Sequence, residues 1–239
     1  MKSTAFSFRN FNLDTYKIIK LKDINLEIPK NKITVIYGAY NSGKSLFLQT
    51  FSRLYEEMYP EFKETGEIIL DGKNLKEYDK KELRKKIIFT DTDYLNALQK
   101  FKIEELLSLF FEKRIIFENI AQEEIKRLET LNLFEELSII YSKKINLMNS
   151  FVRLKLLIFL TMSSDAEYVI YDNFLDKADD DTIINLFNFI ADNKEKKTYL
   201  VSTRNIRRFL PYADLLIFIK NGRILYNGDS GGYLNLNQS

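Results

Sequence analysis

The residues with the clearest chemical meaning form one run of eight, Gly38-Ala39-Tyr40-Asn41-Ser42-Gly43-Lys44-Ser45, which has the spacing G-x-x-x-x-G-K-S. In such a loop, successive backbone N–H groups and the start of the following helix converge and bind phosphate groups. The lysine adds a positive charge for the β- and γ-phosphates of a nucleotide, and the serine hydroxyl suits Mg²⁺. These eight residues, called the phosphate loop below, and the adjoining Leu46 are therefore predicted to bind a nucleotide.

Both flanks of the phosphate loop fit that prediction. Residues 32–37 are short, apolar and β-branched, which is typical of a buried strand, and a helix is predicted to start at Leu46. A chance octet in a solvated turn would not bring a strand before it and a helix after it. Helical spacing places five apolar residues on one face of that helix: Phe47, Phe51, Leu54, Tyr55 and Met58.

A second candidate is the carboxylate of Asp172, which follows the apolar strand predicted at residues 168–171. An aspartate at the end of a strand is often only a turn residue or a helix cap. Beside a phosphate loop, however, a carboxylate at the tip of a neighbouring buried strand holds Mg²⁺ directly or through water. The sequence therefore predicts Ser45 and Asp172 as the residues on the metal side of the site.

Composition excludes several kinds of chemistry. The chain has 239 residues with no cysteine and no histidine, which excludes disulfides, thiolate catalysis and any imidazole base or metal ligand. The net charge is +2, from 36 basic and 34 acidic side chains, so no overall field favours nucleic acid as a partner. No apolar run approaches the roughly 18 to 20 residues of a membrane span, and no signal peptide is predicted.

The order of predicted elements indicates an α/β fold. Residues 3–37 alternate short extended segments with turn residues, which predicts a small antiparallel sheet at the start of the chain. Asp71-Gly72 and Asn221-Gly222 each lie between apolar runs and predict hairpin turns. The periodicity is helical from residue 101 to 163, and elsewhere helices alternate with buried strands. This pattern predicts a mainly parallel sheet, an N-terminal antiparallel β subdomain and an inserted helical subdomain.

With these features the chain resembles the ATP-binding subunits of ABC transporters over essentially its whole length. The resemblance rests on the phosphate loop, the hairpin at residues 69–75, the helical insert, Asp172 and the closing Asn221-Gly222 hairpin. Two stretches, residues 48–54 and 64–68, look most like the phosphate-importer branch.

The resemblance implies a P-loop NTPase (RecA-like) fold. It implies a single nucleotide-binding domain at 1–239, with the β and RecA-like core at 1–90 and 164–239 and the helical subdomain at 91–163. It also implies ATP and Mg²⁺ as cofactors, and an aromatic ring, Phe11 or Phe8, that stacks on the adenine.

The partners implied by the resemblance are a second nucleotide-binding subunit, in a homo- or heterodimer, and an integral membrane permease. The implied location is cytoplasmic and peripheral, on the inner face of the cell membrane. In this family two nucleotides are sandwiched between two subunits, and each site uses the loop of one chain and the signature segment of the other.

The chain departs from the family where hydrolysis is carried out. The residue after Asp172 should be the glutamate that polarises the attacking water, and it is Asn173, which cannot accept a proton at neutral pH. The expected histidine after the next strand falls on Thr203, and the glutamine expected near residue 90 has no counterpart around Thr92. No catalytic residue is therefore predicted, and the resemblance implies binding of ATP with impaired hydrolysis.

The signature segment is also altered. Counting back twenty residues from Asp172, the L-S-G-G-Q signature falls on residues 148–152, where Phe151 stands at a glycine position and Val152, which cannot hydrogen-bond, stands at the glutamine position. A bulky ring there opposes the close approach that the signature makes to a facing nucleotide. Asn149 can still cap the helix that follows.

Two alternatives remain open from the sequence. In the first, the chain is an active ATPase in which Asp91, Asp93 or Asp176 substitutes for the missing glutamate. In the second, it is a scaffold with a vestigial nucleotide site, and aromatic residues of the helical block, such as Phe101 and Phe117, dock a partner.

Overall fold

The structure is a computed structural model that describes residues 3–17, 19–97, 100–111, 121–140, 142–192 and 197–236. Phe117 lies outside the described residues. The chain divides into two compact units. The first comprises Met1–Thr90, Ala166–Asp176 and Lys196–Ser239, and the second comprises Asp91–Asp165 and Lys177–Glu195.

The strands and helices alternate along much of the chain. The strands are β1 (Thr4–Asp14), β2 (Lys20–Pro29), β3 (Ile33–Tyr37), β4 (Lys63–Leu70), β5 (Lys73–Asn74), β6 (Ile87–Thr90), β7 (Tyr168–Asp172), β8 (Thr198–Thr203), β9 (Leu215–Lys220) and β10 (Arg223–Gly228). The helices are α1 (Lys44–Phe51), α2 (Tyr55–Met58), α3 (Lys80–Lys86), α4 (Tyr94–Ala97), α5 (Ile103–Phe111), α6 (Gln122–Thr130), α7 (Phe134–Ile140), α8 (Ser150–Ser163), α9 (Asp180–Asp192), α10 (Ile206–Phe209) and α11 (Ser230–Leu236). Single 3₁₀ turns lie at Leu75–Glu77, Ile145–Leu147, Leu175–Lys177 and Leu210–Tyr212.

The first unit contains the antiparallel sheet predicted for the start of the chain. Its strands have the order β2-β1-β4-β5, and each neighbouring pair is antiparallel. The β4–β5 hairpin turns at Asp71 and Gly72, whose φ angles are 49° and 84°. Positive φ at both central residues is the geometry of the tight hairpin turn that an Asp-Gly pair favours, so this predicted hairpin is confirmed.

The second sheet of the first unit is mainly parallel, with the order β10-β9-β3-β8-β7-β6. Strands β9, β3, β8, β7 and β6 are parallel to their neighbours, and β10 joins β9 through the antiparallel Asn221-Gly222 hairpin. Every residue of β7 and β8 is buried, as expected for parallel strands covered on both faces. The carboxyl ends of β3, β7 and β8 therefore lie along one edge of the sheet, and the predicted fold class is confirmed.

A cluster of aromatic rings fixes α1 against the antiparallel sheet. The ring of Phe51 lies edge-on to those of Phe6 and Phe47, with centroids 4.7 and 5.1 Å apart. Phe8 packs on the same two α1 rings, 5.3 Å from Phe47 and 5.1 Å from Phe51. Fully burying such a side chain contributes roughly 1.5–3 kcal/mol. The helix that follows the phosphate loop is thus held by the core of its own unit.

The predicted helical face from Phe47 to Met58 is wrong beyond Phe51. Helix α1 ends at Phe51, Arg53 has a φ of 56°, and Met58 is 52% exposed. The guanidinium of Arg53 donates to both carboxylate oxygens of Glu56 and to the backbone carbonyl of Tyr78 at 3.2 Å. Arg53 thus has a left-handed conformation just after the end of α1, and its side chain is held in part by Tyr78, which lies well after α1 in the sequence.

The second unit is helical, from α4 to α9. Helix α8 is buried along most of its length, and its N-terminus is capped by Asn149, whose Oδ1 accepts the N–H of Val152 at 2.8 Å. The predicted cap is confirmed. Phe101 is partly exposed. Among the described residues, no helix combines the length and apolar character needed to cross a membrane.

Candidate nucleotide-binding site

The phosphate loop joins the end of β3 to the start of α1, and its two glycines are required by its geometry. A Cβ at Gly38 would lie 2.4 Å from the carbonyl oxygen of Ile219 and 2.5 Å from Ser42 Oγ, closer than atoms can approach. Gly43 has a φ of 108°, a conformation that side-chain-bearing residues rarely adopt. The loop therefore keeps its shape only with glycine at these two positions.

The ammonium group of Lys44 is the one charged side chain of the phosphate loop, and it is buried. Lys44 is 5% exposed, and its Nζ donates to the carbonyl oxygens of Gly38 at 2.6 Å and Ala39 at 3.0 Å. Among the described residues it has no carboxylate in ion-pair contact. Burial lowers the pKa of Lys44, the nearby charge of Asp172 opposes that change, and the charge of Arg204 adds to it.

A buried cation without an ion pair is unstable unless an anion accompanies it. The start of α1 supplies the backbone N–H groups that a phosphate needs. A second polar group of the loop has no hydrogen-bond partner within the described residues, because Ser42 Oγ is buried and neither accepts nor donates a hydrogen bond there. Both features fit a site for an anionic ligand with several oxygens.

The remaining loop residues differ in exposure. Ala39, Tyr40 and Asn41 are exposed, Tyr40 by 78%, and Asn41 has a φ of 57°. Ser45 is half-buried in the first turn of α1, and Leu46 is buried. The Tyr40 side chain is thus directed to solvent.

The closing hairpin holds the phosphate loop from one side. The N–H of Gly222 donates to the carbonyl oxygen of Ser42 at 2.8 Å, and the carbonyl oxygen of Gly222 accepts the N–H of Lys22 at 2.9 Å. One residue of the β9–β10 turn therefore links the loop to β2. Sequence reasoning predicted the hairpin and missed this contact.

Asp172 ends β7 and is oriented by two hydrogen-bond donors. Its Oδ1 accepts from Ser202 Oγ at 2.6 Å and from Asn173 Nδ2 at 2.8 Å. Ser202 is the register partner of Asp172 in the neighbouring strand β8, and its Oγ also accepts the N–H of Asn173 at 2.9 Å. The positioning role of Ser202 was missed. A polar residue at the end of a buried parallel strand was the signal for it.

The side chain of Asn173 forms a hydrogen bond with Asp172 and, as an amide, cannot accept a proton from water. Its φ is 49°, its amide nitrogen donates to the aspartate, and its Oδ1 is buried with no partner among the described residues. Reversing the amide would set Oδ1 against a carboxylate oxygen, so the hydrogen bond fixes the assignment of oxygen and nitrogen.

Thr203 and Asp176 form a second polar pair at the same edge of the sheet. Thr203 Oγ1 donates to Asp176 Oδ1 at 2.5 Å, and the N–H of Arg204 donates to Asp176 Oδ2 at 3.1 Å. Thr203 is the register partner of Tyr37, the residue before Gly38. Sequence reasoning identified Thr203 as a lost histidine position and did not predict its pairing with Asp176.

The prediction that Phe11 stacks on adenine is wrong. Phe11 is 2% exposed and its ring packs against Phe8, 5.8 Å away, so neither ring offers a free face. Simple alternation would place residues 8 and 11 on opposite faces of β1, and the register shift between Phe8 and Phe11 in the β1–β2 pairing brings both rings to the buried face.

Tyr16 is an exposed aromatic residue, in a turn that approaches the phosphate loop, that the sequence analysis missed. It is 61% exposed and has a φ of 55°, in the turn between β1 and β2. The same turn contains Ile19, whose Cγ2 would lie 3.4 Å from a Cβ at Gly43. An aromatic residue in a polar turn was the available signal.

The other predicted positions belong to the second unit. Thr92 lies in the turn after β6, and Asp91 Oδ1 accepts the N–H groups of Asp93 and Tyr94, both at 2.9 Å. Phe151 of the signature segment lies in α8, and the Nζ of Lys155, one helical turn further along that helix, lies 5.0 Å from its ring centroid.

Comparisons with known proteins agree with this arrangement. The family model described as ABC transporter matches residues 21–175, which include the phosphate loop and Asp172. The phosphate import ATP-binding protein PstB of Pyrobaculum aerophilum is 26% identical over 225 residues, which cover 92% of this chain and 88% of that protein.

Solved structures share the fold. A bacterial Atm1-family ABC exporter with ATP bound has a TM-score of 0.79 at 13% identity, and the match covers 98% of this chain but only 40% of the exporter chain. CbiO1 from Clostridium perfringens, part of the ABC transporter complex CbiONQ, has a TM-score of 0.76 at 17% identity over 99% of this chain and 93% of that one. Since the family model spans more than half of the sequence, the chain belongs to the ABC transporter family, as an ATP-binding domain.

Proposed function

We propose that the chain binds ATP·Mg²⁺, hydrolyses it slowly or not at all, and serves as a regulatory or structural nucleotide-binding subunit of a membrane transporter. ATPase domains of this family bind ATP in general. The observation that carries the proposal for this chain is the buried ammonium of Lys44, which has no ion-pair partner among the described residues and lies at the start of α1. The predicted loop residues, 38–46, form the proposed phosphate contacts.

The residues on the metal side fit Mg²⁺. Ser45 and Asp172 offer a hydroxyl and a carboxylate, and oxygen ligands are the ones that Mg²⁺ prefers. No group of three or more acidic side chains that could hold a metal alone exists within the described ranges. Mg²⁺ in nucleotide sites is commonly held by one or two protein groups, water and the phosphates themselves. Bound there, it would neutralise phosphate charge.

The proposal of impaired hydrolysis rests on Asn173, the residue after Asp172, where the family has a glutamate. The amide of Asn173 cannot take a proton from water, and its nitrogen is already bonded to Asp172. Loss of a general base costs roughly 10²- to 10⁴-fold in rate. Thr203, at the expected histidine position, donates its hydroxyl to Asp176.

The contacts of the candidate substitute carboxylates disfavour an active ATPase. Both carboxylate oxygens of Asp176 accept hydrogen bonds, from Thr203 Oγ1 and from the N–H of Arg204. Asp91 caps the turn that contains Asp93. The carboxylates of Asp176 and Asp91 are thus already engaged by donors of their own chain.

For the base of the nucleotide, we propose stacking on Tyr16. Its ring is exposed, and the turn that contains it approaches the start of α1 at Gly43. Stacking of this kind tolerates different bases, because every base has a π-face.

The proposed assembly follows the family. The whole chain, 1–239, acts as one nucleotide-binding domain that pairs with a second such subunit and docks on an integral membrane permease, at the inner face of the cell membrane. The relatives named above work in phosphate import, in an exporter and in the CbiONQ complex, and this range leaves the transported substrate of the present chain undefined.

Phosphate release under single-turnover conditions tests the proposed function. With protein in excess over ATP·Mg²⁺, we expect wild-type release to exceed that of Lys44→Ala, which controls for contaminating phosphatases, by much less than the roughly 1 s⁻¹ at the low end of typical enzyme turnover. Release near or above that rate that Lys44→Ala abolishes would contradict impaired hydrolysis. If Asp176→Asn abolished it as well, the alternative with Asp176 as the substitute base would replace the proposal.

A further inference from the structure

The carboxyl end of β8 lies between the two parts of the proposed nucleotide site, the phosphate loop after β3 and Asp172 at the end of β7. Thr203 is paired in register with Tyr37, which leads into the phosphate loop, and Ser202 is paired with Asp172. The next residue, Arg204, therefore leaves the sheet at the edge between the loop and the aspartate. Ligands of open α/β sheets bind outside this edge.

The backbone of Arg204 is fixed although its side chain is exposed. Asp176 accepts the N–H of Arg204 with one carboxylate oxygen and the hydroxyl of Thr203 with the other. Arg208 Nη1 also donates to the backbone carbonyl of Asp176, at 3.4 Å. One carboxylate thus holds two consecutive residues, 203 and 204, and sets the point from which the guanidinium extends.

The guanidinium of Arg204 forms no ion pair or side-chain hydrogen bond within the part of the chain that the structure describes. The positive charge of Arg204 nevertheless contributes to lowering the pKa of Lys44, because it repels the protonated ammonium. Two cations that repel each other across a site, one of them fixed in place by the fold, are stabilised together by a multiply charged anion between them.

We propose that Arg204 contacts the terminal phosphate of the bound nucleotide and makes the site prefer a nucleoside triphosphate over a diphosphate. The inference rests on the proposed function and adds a residue that selects the ligand. Lys44 and the loop engage the β- and γ-phosphates, and Arg204 adds a second cation at the terminal phosphate from the strand edge beside Asp172. A guanidinium suits this task because its planar fork binds phosphate oxygens in pairs. Asp176 is the positioning residue.

The test is calorimetric titration of the full chain with ATP·Mg²⁺ and, separately, ADP·Mg²⁺. Arg204→Ala is expected to weaken ATP binding about tenfold or more, the usual loss for a charge-assisted hydrogen bond, and to leave ADP binding within about twofold. Arg207→Ala is the matched control, since it removes another exposed arginine, from the adjoining α10. It should change neither affinity by more than about twofold.

A double-mutant cycle separates positioning from structure. Asp176→Asn should reduce the preference for ATP over ADP, and adding Arg204→Ala to it should cause little further loss. Equal weakening of both nucleotides by Arg204→Ala, or no weakening of either, would overturn the inference while nucleotide binding itself stands. A wild-type chain that binds neither nucleotide would overturn the proposed function together with it.

Discussion

Lys44 combines burial, positive charge and hydrogen bonds to two backbone carbonyls. The free chain therefore bears a desolvation cost that a bound phosphate would remove. In an unfolded chain the same ammonium is hydrated, so the folded state binds this proton less tightly. The lowered pKa of Lys44 expresses that difference.

The sign of the resulting pH dependence can be measured. Between the lowered pKa of folded Lys44 and the unfolded value near 10.5, the unfolded chain binds more protons, so wild-type stability rises with pH in this window. Lys44→Met lacks the titrating group. The free energy of unfolding of the wild type minus that of Lys44→Met should therefore increase from neutral pH to about 10.5.

Urea unfolding at several pH values gives this difference, and Lys81→Met, at an exposed position of α3, is the control. The control shows any pH trend that the change from lysine to methionine causes outside the site. A Lys44→Met difference that does not change with pH relative to the control would show that burial does not destabilise the ammonium. A difference that falls with rising pH would contradict the sign.

At the scale of elements, the β9–β10 hairpin supports the phosphate loop through one backbone contact. Gly222 donates to Ser42 and accepts from Lys22, and its φ is 71°. A Cβ on Gly222 would lie 1.7 Å from the carbonyl oxygen of Lys20, whereas a Cβ on Gly72 would meet no atom within 4 Å. Both hairpins thus have a glycine with positive φ in the turn, but Gly222 is surrounded closely by other atoms and Gly72 is not.

Alanine at these two glycines separates the cost of a positive φ from the cost of crowding. Gly72→Ala should lower the free energy of unfolding by about 1–2 kcal/mol, the strain of a left-handed residue, without affecting ATP binding. Gly222→Ala should cost more than that and should also weaken ATP binding, by about tenfold, because the contact with Ser42 shifts.

Unfolding in urea and ATP titration of both variants provide the two readouts. The proposed support of the loop fails if the two alanine variants lose equal stability and bind ATP equally well. It fails also if Gly72→Ala is the variant with weaker binding.

For the whole molecule, local sequence signals predicted the elements better than their contacts. The hairpins at Asp71-Gly72 and Asn221-Gly222 could be predicted because these pairs favour one turn geometry wherever they occur. Likewise, the buried strands β7 and β8 each contain a run of apolar residues, 168–171 and 199–201. Their order in the sheet then brings Asp172 and the phosphate loop to one edge.

The features that the sequence did not predict depend on contacts between residues far apart in the chain. Helix α1 ends early at Arg53, whose side chain bonds to the carbonyl of Tyr78, and no local pattern marks that break. Phe11 was mistaken for a ligand contact because its direction depends on pairing register in β1. The links of Ser202 to Asp172 and of Asp176 to Thr203 appear only after parallel strands are aligned.

The measurement that tests the account most directly is a calorimetric titration of the purified chain with ATP·Mg²⁺, alongside Lys44→Ala. We predict saturable binding by the wild type with a dissociation constant below about 1 mM, and binding at least about tenfold weaker by the variant. Absence of wild-type binding at millimolar ATP, or equal binding by both proteins, would contradict the account. The first of these results would favour a scaffold with a vestigial nucleotide site.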